Sequence, residues 1–207
     1  MAAGLETVDC ALLPCIALTY DDGPSDLTPG ILDALAAHHG AATFFAMGEK
    51  ASAFPEVLRR TVAEGHLVEN HTWSHPHLKT LTDPQIAKQV RDTSAALSTA
   101  TGQRVTMFRP PYGEYDARVL KQLGLPAILW DIDTLDWQNP ADETLLARAV
   151  DRPSPGSIVL QHDIQQSTAR TADAVYAGLA DRGFVLVTVA QLFGGSPPTS
   201  GAWKRAP

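Results

Sequence analysis

The chain has 207 residues, 44% hydrophobic and 19% charged, with 16 Lys+Arg against 23 Asp+Glu for a formal charge of −7. This is the composition of one ordinary globular domain able to bury a full core. It excludes the clustered Lys/Arg that nucleic acid or an anionic membrane surface requires, and no apolar stretch approaches the ~18 residues of a bilayer-spanning helix.

Ile16–Thr19 reads as a buried strand followed by a turn at Gly23-Pro24. Thr28 is expected to cap a helix whose first residue is Pro29, where a missing N–H costs nothing. Ile31, Leu32 and Leu35 form its apolar stripe, and Gly40 stops it. Thr43–Ala46 is a second strand, Pro55–Glu64 a second helix ending at Gly65, and His66–Glu69 a third strand. Thr82 and Gln85 have capping-box spacing for a long helix reaching Ala100. Further strands are expected at Thr106–Phe108, Ala127–Trp130, Ile158–Leu160 and Phe184–Val187. Helices at Tyr115–Leu123, Glu143–Val150 and Thr168–Asp181 lie among them. Strands alternating with helices in this way form consecutive βαβ units. Periodicity leaves open whether the parallel sheet closes. The polar residues favour a barrel, because Asp21-Asp22, His71, Arg109, Asp133–Trp137 and His162 all follow predicted strands, as active-site residues in (β/α) barrels do. The expected fold is a single α/β domain, a distorted (β/α) barrel of seven or eight strands. Residues 1–14 form an N-terminal segment, 15–193 the domain, and 194–207 an irregular tail.

Two groups carry the first chemical signal: Asp21-Asp22-Gly23-Pro24, and His71 with His75. Imidazoles at i and i+4 can share one face of a helical turn and grip a cation. A carboxylate as third ligand leaves the open position that a catalytic metal needs. Either group alone is a weak signal. Adjacent carboxylates near paired histidines are a stronger one, because two acids repel unless a cation or Arg neutralises them. Later segments add Arg109 on a turn stiffened by Pro110 and Pro111, the acids and ring of Asp133-Thr134-Leu135-Asp136-Trp137, and His162 at the end of an apolar strand.

In these five segments, in this order, the chain resembles the polysaccharide deacetylases, the fourth carbohydrate esterase family with its NodB homology domain. The resemblance runs from Cys15 to Leu192. Tyr20 stands where the family more often has Phe. The resemblance implies hydrolysis of acetyl groups from N-acetylglucosamine polymers or acetylated xylan by one divalent metal, zinc or sometimes cobalt. It implies Asp22, His71 and His75 as metal ligands and Asp21 as the general base. Arg109 would pair with Asp21, and His162 would be the general acid, with Asp136 beside it favouring the protonated imidazole that this role requires. The backbone N–H of Tyr112 would stabilise the oxyanion, with Trp137 and Leu160 walling the acetyl-methyl pocket. Asp133 receives no independent role. With short loops, the substrate groove should be open and shallow.

Other residues have plainer readings. His38-His39 end a helix, His66 is a core or edge residue, and His77 lies off the ligand face. Phe44, Phe45 and Met47 belong to the core, and Tyr115 either lines the groove or packs against the body. Cys10 and Cys15 lack metal-ligand spacing, leaving buried thiols or a small loop disulfide. The disulfide is the expectation, and it requires an oxidising compartment. Extracellular polymers as substrate point the same way, to a secreted monomer whose leader is not in this sequence. The expectation is a deacetylase of chitin or chitooligosaccharides. Acetylxylan esterase and peptidoglycan deacetylase are its alternatives. A non-catalytic carbohydrate-binding module is disfavoured because base, acid and all three ligands are present.

Overall fold

A computed structural model describes residues 8–207, so the first half of the N-terminal segment lies outside the described residues. The domain is built around β1 (Cys15–Asp21), which is buried along its whole length. Side chains alternate across it. Ile16, Leu18 and Tyr20 face outward onto α1 (Thr28–Ala37) and α7 (Gln166–Asp181), while Cys15 and Ala17 face an inner cluster with Phe45, Met107 and Ile128. Thr19 and Asp21 continue that inner face towards its polar end.

Parallel partners flank β1. They are β2 (Thr43–Ala46) and β7 (Val185–Val187) on one side, and β6 (Ile158–His162) on the other. With β3 (Leu67–Asn70) and β5 (Ile132–Asp133) the sheet order is β3-β2-β1-β6-β5, with β7 joined to β1. A second pair, β4 (Ala127–Ile128) with β8 (Ala202–Trp203), continues the wall through single bridges from Asn70 to Phe108 and from Phe108 to Ala127. The ladders do not close the barrel. At the far side a lone antiparallel bridge joins Arg205 to Ser157. Around the sheet lie α2 (Gly48–Ala53), α3 (Pro55–Ala63), α4 (Asp83–Thr101), α5 (Ala117–Leu123), α6 (Asp142–Leu146) and α8 (Val189–Leu192). Among the described residues no helix is long and apolar enough to cross a membrane.

Several local expectations change. Thr28 does not cap α1; its hydroxyl donates to Asp163 Oδ2 at 2.6 Å and accepts from the Ser25 N–H. The segment at 106–108 contributes a bridge rather than a strand. Of the apolar run 127–130 only Ala127–Ile128 form a strand, β4, and the separate β5 begins beyond it at Ile132. Beyond residue 194 the tail carries β8, and Ala206 is buried in the inner cluster. Thr82 and Gln85 do form the capping box of α4. Cys10 and Cys15 are joined by a disulfide with Cα atoms 5.4 Å apart.

Candidate active site

Because the strands are parallel, their carboxyl ends meet on one side. The β1–β6 register sets Asp21 beside His162. Asp22 follows Asp21 with φ 74°, a left-handed conformation that Asp tolerates better than most residues. That twist breaks the strand alternation and lets both carboxylates face one pocket. Gly23 is required next, since a Cβ there would come within 2.1 Å of the Asp163 carboxylate.

His71 and His75 come from a loop after β3, not from the helical turn that their spacing suggested; Thr72 and His75 have φ 67° and 56°. The loop is held by side chains. Asn70 Oδ1 accepts the Thr72 N–H at 2.8 Å, Gln89 Oε1 on α4 accepts the Trp73 N–H at 2.7 Å, and Thr72 Oγ1 accepts the His75 N–H at 3.0 Å. His71 Nδ1 donates to the Arg109 carbonyl at 2.8 Å, which turns Nε2 to the pocket. Asp22 Oδ1 then lies 3.4 Å from His71 Nε2 and 3.5 Å from His75 Nε2.

These three residues offer ligand atoms all within 4.8 Å of one another. Asp22 Oδ1 is buried yet has no hydrogen-bond partner. A buried carboxylate oxygen left without a donor, facing two imidazole nitrogens, fits a divalent cation of the zinc type. Burial resists the charge on Asp22, but the imidazoles of His71, His75 and His162 outweigh it and hold the carboxyl down at about 2. His77 stays apart, half-exposed and paired with Glu114 at 3.3 Å.

Arg109 is fully buried beneath the carboxylates. Its guanidinium donates to Asp21 Oδ1 and Thr19 Oγ1, both at 2.8 Å, and to the carbonyls of Ile128 and Leu129. It also stacks over Phe45, 4.2 Å from the ring centre. Four of its five N–H donors therefore have acceptors, one of them charged, which offsets most of the cost of burying a guanidinium.

On the opposite wall, His162 Nδ1 donates to Asp136 Oδ1 at 2.7 Å. Burial disfavours the imidazolium, but the bond to Asp136 and its charge more than offset this and raise His162 to about 9. With Nδ1 committed, Nε2–H is the proton left for the pocket. The pocket is about 400 Å³ and is lined by Asp21, Asp22, His71, His75, Tyr112, Asp133, Trp137, Leu160 and His162, with Trp130 added. Sequence reasoning did not single out Trp130, although an aromatic residue at the end of an apolar run was the available signal. Tyr112 and Trp137 are each 54% exposed and form an open rim. Asp133 Oδ1 accepts the Leu135 N–H and thereby holds a left-handed turn. Tyr115 does not line the pocket; it packs, partly buried, against the apolar cluster that contains Leu78 and Ile86. A larger cavity, about 670 Å³ between residues 8–11 and 191–195, contains none of these catalytic candidates.

The family model of polysaccharide deacetylases matches residues 11–128, more than half of the sequence. The chain belongs to the polysaccharide deacetylase family. Over 196 residues it is 34% identical to a chitooligosaccharide deacetylase of Sinorhizobium fredii, covering 86% of this chain and 91% of that one. It is 40% identical over 178 residues to the peptidoglycan-N-acetylmuramic acid deacetylase PdaC of Bacillus subtilis, covering 86% of this chain. That alignment spans only 38% of PdaC's length. Among solved structures, the T48 deacetylase with substrate superposes with a TM-score of 0.89 at 39% identity, over 94% of this chain and 98% of that one. The fold is therefore the α/β fold of this family of carbohydrate deacetylases.

Proposed function

We propose that the protein is a secreted, divalent-metal-dependent hydrolase that removes acetyl groups from N-acetylglucosamine oligomers or polymers. The observation that carries this is the convergence of Asp22, His71 and His75 between two separate proton-handling pairs, Asp21–Arg109 and His162–Asp136. A binding module would need neither pair. The Cys10–Cys15 disulfide supports an oxidising compartment.

In this reading Asp22, His71 and His75 hold the metal. A bound dication supplies Lewis acidity, polarising the acetyl carbonyl and acidifying the attacking water. Asp21 takes the proton from that water as general base, and Arg109 balances its charge without touching substrate. The Tyr112 N–H, in a residue held at φ 59° on the rim, donates to the developing oxyanion. His162 delivers its Nε2 proton to the departing amine, because an amide nitrogen is a poor leaving group until protonated. Trp137 and Leu160 enclose the acetyl methyl, and the exposed rim leaves neighbouring sugars room on either side.

The same machinery serves an N-acetyl amide on another glycan or an O-acetyl ester, so peptidoglycan and acetylated xylan are the alternative substrates. Acetate release by zinc-loaded protein from N-acetylglucosamine oligomers, peptidoglycan and acetylated xylan, in parallel with a chelator control, tests the proposal. Chelator-sensitive release from the oligomers is expected. Release from xylan alone would make the protein an esterase, and no release from any polymer would overturn the enzymatic reading.

A further inference from the structure

Asp136 is completely buried, and its carboxylate accepts four hydrogen bonds. Oδ1 takes His162 Nδ1–H and the Trp137 N–H, at 2.7 and 3.0 Å. Oδ2 takes the His162 N–H at 2.7 Å and the Thr168 hydroxyl at 2.5 Å. Three of these donors belong to His162 or to the backbone next to Asp136. The fourth is a side chain from a different element, the first turn of α7, whose positive end also favours a carboxylate nearby.

Thr168 is fully buried and does not line the pocket, so it cannot meet substrate. Its hydroxyl has another course open to it. Thr171, one turn further along α7, bonds back to the Ser167 carbonyl at 2.8 Å, the usual arrangement for a helical threonine. Thr168 instead points out of the helix at Asp136. Its neighbour Ser167 does the same, donating to the Asp136 carbonyl at 3.2 Å. The start of α7 thus grips Asp136 by both carboxylate and backbone.

We propose that Thr168 is a positioning residue for the deacetylation reaction: by holding Asp136 Oδ2 it fixes the carboxylate plane, and through Oδ1 it fixes the His162 ring that donates the proton. This rests on the assignment of His162 as general acid. Without the hydroxyl, Oδ2 keeps one donor, and the carboxylate is free to rotate away from the imidazole. Charge-assisted bonds in a water-free setting are the strong ones, so the loss should be felt at His162.

The test exploits the leaving group. An N-acetylglucosamine oligomer must have its amine protonated as it departs, whereas 4-nitrophenyl acetate expels a stable phenolate without help. Thr168→Val keeps the shape and removes the hydroxyl. It should lower the ratio of oligomer to nitrophenyl acetate turnover about tenfold, in kcat rather than KM, and Thr168→Ser should restore it. In a His162→Ala background, Thr168→Val should produce no further fall in that ratio. NMR provides a readout independent of turnover: the Nδ1 proton of His162 should shift in Thr168→Val and return in Thr168→Ser. An unchanged ratio, an equal loss on both substrates, or an unmoved Nδ1 resonance would overturn the proposal. If instead His162→Ala leaves the wild-type ratio intact, it is the general-acid assignment that fails.

Discussion

At the scale of single residues, the two carboxylates of the Asp21-Asp22 pair are adjacent but chemically divided. Arg109 claims Asp21 at 2.8 Å, while Asp22 Oδ1 has only the two imidazole nitrogens before it. Asp21→Asn should therefore lower kcat by about 10²–10⁴-fold while zinc still binds, as titration calorimetry would report. Loss of zinc affinity comparable to that in Asp22→Asn would remove the division of roles. Arg109→Met makes a different demand, because it leaves Asp21 buried with only the His71 imidazole, 3.6 Å away, to face its charge. Removing one partner of such a pair costs about 3–5 kcal/mol, so a large fall in the urea midpoint is expected whatever the metal content. The sequence made both residues legible through motif order and their position after strands. It did not make legible how His71 and His75 meet. Spacing of i and i+4 implied a helical face, whereas the rings converge from a loop with two residues at positive φ. That loop is stabilised by Asn70 at its start and by Gln89, a partner 16 residues away from Trp73 on α4. The same holds for Thr168, whose role depends on a contact 32 residues away.

At the scale of elements, long periodic segments were readable and two-residue strands were not. β1 declared itself as an apolar run ending in a turn, α4 and α7 have enough repeats of period 3.6 to do the same, and the capping box fixed the start of α4. β5 and β8 each contain two residues and owe their existence to a neighbouring strand. The site depends on such pieces nonetheless: the carbonyls of Ile128 and Leu129, which receive Arg109, are aligned by pairing with the tail, where the Leu129 N–H donates to the Trp203 carbonyl at 2.7 Å. The disulfide is the other local brace. It closes a short loop in front of β1, whose first residue is Cys15 itself. Loop-closure entropy for so small a ring gives about 2 kcal/mol. Cys10→Ser/Cys15→Ser, or reduction of the wild type, should lower stability by that amount in urea denaturation while acetate release persists at low temperature. No change in the midpoint on reduction would show that the bond constrains nothing the fold does not already hold.

At the scale of the whole molecule, the domain concentrates buried ionisable groups around one end of its sheet, so its stability must depend on pH. Asp163 gives the clearest case. It is 1% exposed, receives one hydroxyl at Oδ2, and has no partner at Oδ1. Burial raises its carboxyl to about 7, against the pull of the Thr28 hydroxyl and with help from the charges of Asp22 and Asp21. The unfolded chain releases this proton at about 3.9. The folded form thus binds more protons between those values, and stability falls as pH rises through that window. The contribution is complete below about pH 4 and gone above about pH 7. His162 acts with the same sign but later, between about 6.5 and about 9. His66, lowered to about 4 by burial, acts with the opposite sign and loses stability as pH falls. Comparison with Asp163→Asn, which is near in shape and does not titrate, separates the first group from the others. In chelator-treated protein, the stability difference between wild type and variant should shrink or reverse from pH 5 to pH 7, because only the wild type loses stability by ionising Asp163. A dication at Asp22 would favour the ionised Asp163, so zinc should flatten the wild-type slope. A difference independent of pH across that range would mean that Asp163 ionises in the fold as it does in the unfolded chain.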